Sequence, residues 1–228
     1  LDFVTWDTVF RGERTQLTES VEKIDVPVVI MAGGKGTRME PFTKVLPKPL
    51  IPIGEKTIAE LIIDQFLACG VKDFYFTLNY KGDMIKAYFN SIERDYNVDY
   101  VYEDDFYGTA GCLKLLDDVI KGTFILSNCD ILVRANYAKV LEFHRQNESE
   151  LTVLSAIQHY QIPYGVIRFG KNGAISEIQE KPEHTFTINT GVYFVNRECL
   201  DLIPEGKIFH MTDLIEELMK AGRRVFTY

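Results

Sequence analysis

Val28-Val29-Ile30-Met31-Ala32-Gly33-Gly34-Lys35-Gly36-Thr37-Arg38 opens with four apolar residues, three of them β-branched, and runs directly into a glycine-rich turn. A short apolar run of this kind predicts a buried strand. Three glycines in the next five positions let the backbone turn tightly and bring its N–H groups close to a ligand. A glycine loop at the end of a strand in an α/β sheet lies where such sheets bind phosphates.

Outward from this stretch, β-rich runs alternate with helical patterns. Helix is predicted over residues 57–69, where Ile58, Leu61, Ile62 and Phe66 share a face, Thr57 and Glu60 form a capping box, and Gly70 ends the turn. Strands at 74–78, 98–102 and 123–127 alternate with helices at 83–92, 110–119 and 136–145. After Glu150 the strands crowd together, at 151–157, 165–169, 174–179 and 191–195, with a Lys171-Asn172-Gly173 turn among them. Residues 224–228 also read as a strand. The fold class is α/β: a doubly wound mixed sheet, Rossmann-like in its first half, with a β-rich second half.

The 228 residues carry a formal charge of -8, so affinity for nucleic acid through broad phosphate neutralisation is not expected, and any phosphate site is local. No apolar run approaches the roughly 20 residues of a membrane span, and no membrane partner is expected. The four cysteines, Cys69, Cys112, Cys129 and Cys199, are widely spaced without a C-x-x-C pair, which suits a reduced, cytoplasmic protein. Residues 1–25 show no clean period and are expected to be a linker or the end of a preceding domain, with the main domain over 26–228.

The glycine loop continues Met39-Glu40-Pro41-Phe42-Thr43-Lys44-Val45-Leu46-Pro47-Lys48-Pro49. Its prolines forbid an ordinary helix and predict that Lys48 is held in a fixed extended loop. Two familiar phosphate motifs fail on spacing: Met39 stands where a dinucleotide fingerprint needs a third glycine, and no Gly-Lys-Ser/Thr follows at Walker spacing. Gly-x-Gly-Thr-Arg followed by Pro, Thr and Pro-Lys-Pro instead resembles the signature of the sugar-1-phosphate nucleotidyltransferases, also called nucleotide-sugar pyrophosphorylases. That resemblance implies a GT-A-like nucleotidyltransferase fold, a nucleoside triphosphate and a sugar 1-phosphate as substrates, and Mg²⁺ as cofactor. It assigns Arg38 to the outgoing pyrophosphate and Lys48 to the reacting phosphates, with Ala32, Gly33, Gly34, Gly36 and Thr37 around the nucleotide.

Further along, Gly108-Thr109-Ala110-Gly111 is similar to the family's nucleoside loop; by its own chemistry Thr109 is equally a helix cap. Glu103 stands five residues before Gly108, where thymidylyl- and uridylyl-transferring relatives often place glutamine. An ionised carboxylate only accepts hydrogen bonds and suits the paired N1–H and N2–H donors of guanine, so GTP is expected to be preferred. Asp130, at the end of a predicted strand, is the expected Mg²⁺ ligand, although Cys129 replaces the glycine the family usually places before it. Tyr164-Gly165, Glu180-Lys181-Pro182 and Asn189-Thr190-Gly191 resemble the sugar pocket: the likeness gives Glu180 and Asn189 to sugar hydroxyls and Lys181 to the 1-phosphate, with Tyr164, Gly165 and Thr190 beside them.

The stretches 160–166 and 202–218 look most like members that follow a CBS-type regulatory module, so an N-terminal regulatory domain is expected, and a homo-oligomer is compatible with this reading. The family's second metal-binding aspartate follows a strand like 224–228, so it is expected beyond residue 228 and the domain is read as C-terminally incomplete. The rival readings are a non-catalytic pyrophosphorylase-like scaffold or sensor, a thymidylyl- or uridylyltransferase, and a dinucleotide-dependent oxidoreductase. Retention of Arg38, Lys48, Asp130 and Lys181 opposes the first, and the missing third glycine opposes the last.

Overall fold

Val28–Met31 forms the first strand, β1, and its four side chains divide between the two faces of the sheet, as the period of two requires. Val28 and Ile30 enter one core layer; Val29 and Met31 enter the other. In the computed structural model, which describes residues 23–228, the remaining elements follow in chain order. They are α1 (Phe42–Val45), β2 (Pro52–Ile53), β3 (Lys56–Thr57), α2 (Ile58–Leu67), β4 (Asp73–Leu78), α3 (Gly82–Ser91), β5 (Asn97–Tyr102) and α4 (Gly108–Gly111). Next come β6 (Thr123–Asn128), α5 (Tyr137–Gln146), β7 (Leu151–Gln161), β8 (Val166–Phe169), β9 (Ile175–Gln179), β10 (Glu183–Asn196), α6 (Met211–Lys220) and β11 (Val225–Thr227). Residues 1–22, most of the expected linker, lie outside the described residues.

Seven strands form one mixed sheet in the order β11-β7-β10-β6-β1-β4-β5. β10 runs antiparallel to both its neighbours, while β6, β1, β4 and β5 are mutually parallel. The chain steps from β1 to β4 and β5 on one side and then crosses to β6 on the other. The crevice at the carboxyl ends of β1, β4 and β6 is therefore the sheet's topological switch point, the place where open α/β sheets bind ligands.

Helices cover both faces. α2, α3 and α5 bury Ile62, Phe66, Ile85, Phe89 and Val140 against Phe74 and Phe76 of β4. On the other face, α6 and the 3₁₀ turns at Cys112–Leu116 and Arg197–Leu202 bury Leu113, Leu116, Leu200, Leu214 and Leu218 against Phe124, Leu126 and Val195. The capping box predicted for α2 is formed: Glu60 N–H donates to Thr57 Oγ1 at 3.2 Å, and Thr57 N–H donates to Glu60 Oε2 at 2.8 Å. Asn136 caps α5 in the same manner through Lys139 N–H, at 3.1 Å.

Four local expectations change. The helix expected over 110–119 is a single α turn, α4, followed by 3₁₀ turns, because Ala110 and Gly111 N–H both donate to Phe209 O, at 2.9 Å each, instead of continuing a ladder. The strand expected at 191–195 is the inner third of β10, whose outer part pairs with residues 155–161 of β7 across a bulge between Asn189 and Val192. Residues 37–50 are not extended: the prolines separate three single turns, at Thr37–Met39, Phe42–Val45 and Lys48–Leu50, each too short for a missing N–H to matter. Helix α6 was not read from the sequence, although Met211, Leu214 and Leu218 keep helical spacing and are buried. No helix among the described residues is long and apolar enough to cross a membrane.

Candidate active site

All four parallel strands contribute to one cleft at their carboxyl edge. β1 delivers Ala32 and Gly33; Ala32 N–H donates to Thr77 O of β4 at 2.9 Å, which fixes where the chain leaves the sheet. Gly36 takes φ 64°, a left-handed conformation that favours glycine, and its carbonyl accepts from the buried Thr43 hydroxyl at 3.0 Å. A Cβ on Gly36 would lie 2.9 Å from Thr43 Cγ2 and 3.3 Å from Lys48 Cβ, so the loop is packed down onto the segment that carries Lys48. Arg38 lies on the first single turn and is exposed. Gly34 and Thr37 are exposed as well.

Lys48 and Asp130 meet directly. The ammonium donates to Asp130 Oδ2, joining the proline-bounded turn to the end of β6. Cys129, beside Asp130, is pushed up to about 12 by burial, and Cys112 on the other wall is pushed up to about 12 by burial first and by the charge of Glu103 second. Neither thiol supplies a thiolate nucleophile near neutrality.

Glu103, just beyond β5, forms the floor. It is 7% exposed, and a Cβ on Gly33 would overlap its Oε1, so a larger residue at 33 would push the carboxyl group aside. Tyr107 N–H donates to Glu103 Oε2 at 3.4 Å, and Asn79 Nδ2 donates to the Glu103 carbonyl at 3.1 Å. Burial raises its carboxyl from the ordinary 4.5 to about 7, with the Tyr107 bond opposing. Thr77 and Glu103 line the base of this cleft of about 260 Å³, while Gly108, Thr109 and Phe106 form one side.

The Gly108–Gly111 turn is anchored from behind. Phe209 N–H donates to Tyr107 O at 2.9 Å, and Met211 N–H donates to Thr109 Oγ1 at 2.9 Å. Thr109 thus caps α6, 102 residues away, and not the turn in which it lies. Ala110 is fully buried beneath.

The sugar-side residues assemble elsewhere, on a ribbon made by the outer parts of β7 and β10 with the β8–β9 hairpin. Lys181 N–H donates to Tyr164 O at 3.3 Å, and a Cβ on Gly165 would lie 3.0 Å from Glu180 Oε2, so these two sequence fragments adjoin. Tyr164, Glu180 and Lys181 are exposed. Asn189 stabilises the β10 bulge, its Oδ1 accepting from Gly191 N–H at 2.9 Å and its Nδ2 donating to Tyr193 Oη at 2.7 Å. Thr190 is buried and donates to Leu154 O at 2.6 Å. A Cβ on Gly191 would overlap the Asn128 amide, so the bulge abuts the β6 end that leads to Asp130. The sequence reading did not assign Met31, Thr77, Phe106, Cys112, Asn128 or Cys129 to the cleft; of these Thr77, a lone hydroxyl within an apolar strand, gave a local signal.

Residues 27–227 match the family profile described as nucleotidyl transferase. The chain belongs to that nucleotidyl transferase family. Among curated members, a mannose-1-phosphate guanyltransferase of Yarrowia lipolytica is 33% identical over 77% of this chain and 50% of its own. A UTP–glucose-1-phosphate uridylyltransferase of Synechocystis is 29% identical over 85% of this chain and 55% of its own. The chain thus spans about half the length of the curated relatives it matches. Among solved structures, HddC from Yersinia pseudotuberculosis, described in complex with GMP-PN, is 25% identical with a TM-score of 0.69, covering 89% of each chain.

Proposed function

We propose that this chain transfers a nucleotidyl group from a nucleoside triphosphate, GTP preferred, to a sugar 1-phosphate. The observation that carries the reading is the convergence of the glycine loop, Lys48, Asp130 and Glu103 on one cleft at the switch point of a nucleotidyl transferase sheet. A sugar 1-phosphate oxygen attacks the α-phosphorus in line; the bond from that phosphorus to the bridging oxygen breaks, and pyrophosphate leaves.

The residues of the cleft and the ribbon divide the work of that displacement. Amides of residues 33–37 receive phosphate oxygens, Ala32 holding the loop to the sheet, Arg38 neutralises the departing pyrophosphate, and Lys48 stabilises the reacting phosphates. Glu103 faces the base, with Gly108, Thr109 and Ala110 along the nucleoside. On the ribbon, Lys181 takes the sugar 1-phosphate and Glu180 and Asn189 the hydroxyls, with Tyr164, Gly165 and Thr190 shaping the pocket.

Among the described residues no group of three or more acidic, His or Cys side chains could hold a metal by itself. Asp130, a single carboxylate 30% exposed at the phosphate end of the cleft, fits a hard cation completed by phosphate oxygens and water, and Mg²⁺ is the cation of that type. When bound it would neutralise phosphate charge. With a cation bound, Asp130 would hold it and Lys48 would be free to face phosphate.

The guanyltransferase relatives and the GMP-PN complex of HddC support guanine, and the Synechocystis uridylyltransferase supports the second reading, uridylyl or thymidylyl transfer. Four free thiols suit a reducing, cytoplasmic setting. Pyrophosphate release from GTP, ATP, CTP, UTP and dTTP against a set of sugar 1-phosphates tests the proposal. GTP should give the highest kcat/KM with one of the sugars. Release with none of them contradicts nucleotidyl transfer, and a preference for UTP or dTTP selects the second reading.

A further inference from the structure

The floor of the cleft is a carboxyl group short of partners. Glu103 Oε2 receives one long bond, from Tyr107 N–H at 3.4 Å, and Oε1 faces Gly33. No ion pair to Glu103 forms among the described residues. Beside it Thr77 Oγ1 is buried without a nitrogen or oxygen partner, with only the weak Cys112 thiol within reach, so the floor as a whole holds unmet polar capacity. The groups around Glu103 are Asn79 from beyond β4, Cys112 from the 3₁₀ turn behind, and the exposed Asp104 and Asp105 next in the chain. Tyr102 turns away to bond Asp83. His210 packs behind Gly108, and Arg38, Lys48 and Asp130 lie along the phosphate end of the same cleft. Cys112 stays a neutral thiol in the physiological range, which leaves Glu103 as the titrating group of the floor.

We propose that Glu103 reads the base through its protonation state: as a carboxylate it accepts guanine, and as a carboxylic acid it also admits uracil or thymine, so the base selectivity of this site changes with pH. The inference rests on the reading of the cleft as a triphosphate site with its base over Glu103. A carboxylate offers two acceptors, which match guanine N1–H and N2–H and repel the carbonyls that flank the single N3–H of uracil. A carboxylic acid offers one O–H donor and one carbonyl acceptor. That pattern matches uracil N3–H with an adjacent carbonyl, and it also matches guanine N1–H with O6, so protonation admits pyrimidines without expelling guanine. Burial supports the switch by holding the carboxyl at about 7.

Affinities for GTP and UTP are measured from about pH 6 to about pH 9 on the wild type and Glu103→Gln, and their ratio cancels changes common to both triphosphates. UTP affinity relative to GTP should fall by roughly tenfold for each unit above about pH 7 in the wild type and stay constant in Glu103→Gln, whose amide has the acid's donor–acceptor pattern at every pH. A second readout, ¹³C-detected titration of the Glu103 carboxyl in the wild type, is independent of the variant's folding. By linkage UTP should raise the carboxyl's pKa and GTP should lower it or leave it unchanged. Two bound nucleotides with a pH-independent ratio, or UTP that leaves the titration unmoved, overturn the switch and leave the triphosphate site intact. Failure of every triphosphate to bind overturns the underlying reading and the switch with it.

Discussion

The cleft and the ribbon are built in opposite ways. Around the cleft, Phe76, Leu126 and Phe194 are completely buried, and the sheet is covered on both faces. On the ribbon, Ile157, Phe169, Ile178 and Phe186 are 67%, 75%, 62% and 52% exposed, and two-stranded pairing supplies most of the order. Packing therefore fixes Gly33, Glu103 and Ala110 on the nucleotide side, whereas Tyr164, Glu180 and Lys181 on the sugar side sit where side-chain positions are set by little more than backbone pairing. In this account the half that must orient a triphosphate is preformed, and the half that must accept a particular sugar has room to differ between family members.

The contrast can be broken most strongly in stability. Phe194→Ala should cost about 3–5 kcal/mol in denaturant unfolding, since a buried ring leaves a cavity, whereas Phe186→Ala, on the same strand, should change stability by less than about 0.5 kcal/mol. Equal losses would mean the ribbon is as tightly packed as the core. Arg38→Ala should lower kcat by roughly 10²–10³, the scale of one lost transition-state donor, with an unchanged melting temperature because the side chain is exposed. Near-normal kcat in that variant contradicts its role.

Lys181→Ala should raise KM for the sugar 1-phosphate by about tenfold, roughly 1.4 kcal/mol, and leave the nucleotide KM alone. An equal rise in both would make Lys181, which holds φ 44°, a structural residue of its turn. A pH series sharpens the cleft side. A carboxyl raised from 4.5 to about 7 binds more protons folded than unfolded, so its stabilising contribution is complete below about pH 4.5 and is lost as pH rises through about 7. Glu103→Gln should thus match the wild type near pH 4.5 and exceed it by about 3 kcal/mol at pH 8, read from urea midpoints. A difference with the opposite pH trend would mean the carboxylate is stabilised where it lies.

Apart from α6 and the 110–119 segment, the half packed on both faces was also the half legible in the sequence. Val28–Met31 and the Thr57–Glu60 box announce themselves through apolar runs and local hydrogen bonds, and both form. The ribbon was underread because Glu183–Ile188 alternates around polar and half-exposed residues, so no buried face imposes a visible period. Long-range contacts explain the other gaps. Nothing near Ala110 says that Phe209 O will take two of its turn's amides, and nothing near Lys48 names Asp130 as its partner. Family likeness gathered these residues as a list; the geometry adds that Glu103 lies beneath Gly33 and that Thr109 holds α6.

Hydrogen exchange with each substrate separately tests the division between the two halves most directly. GTP with Mg²⁺ should slow exchange at residues 33–38 and 107–111 and leave 164–181 unchanged, and a sugar 1-phosphate added to that complex should then slow exchange at 164–181 and 189–191. Protection of the ribbon by GTP alone, with none at the glycine loop, would contradict the account.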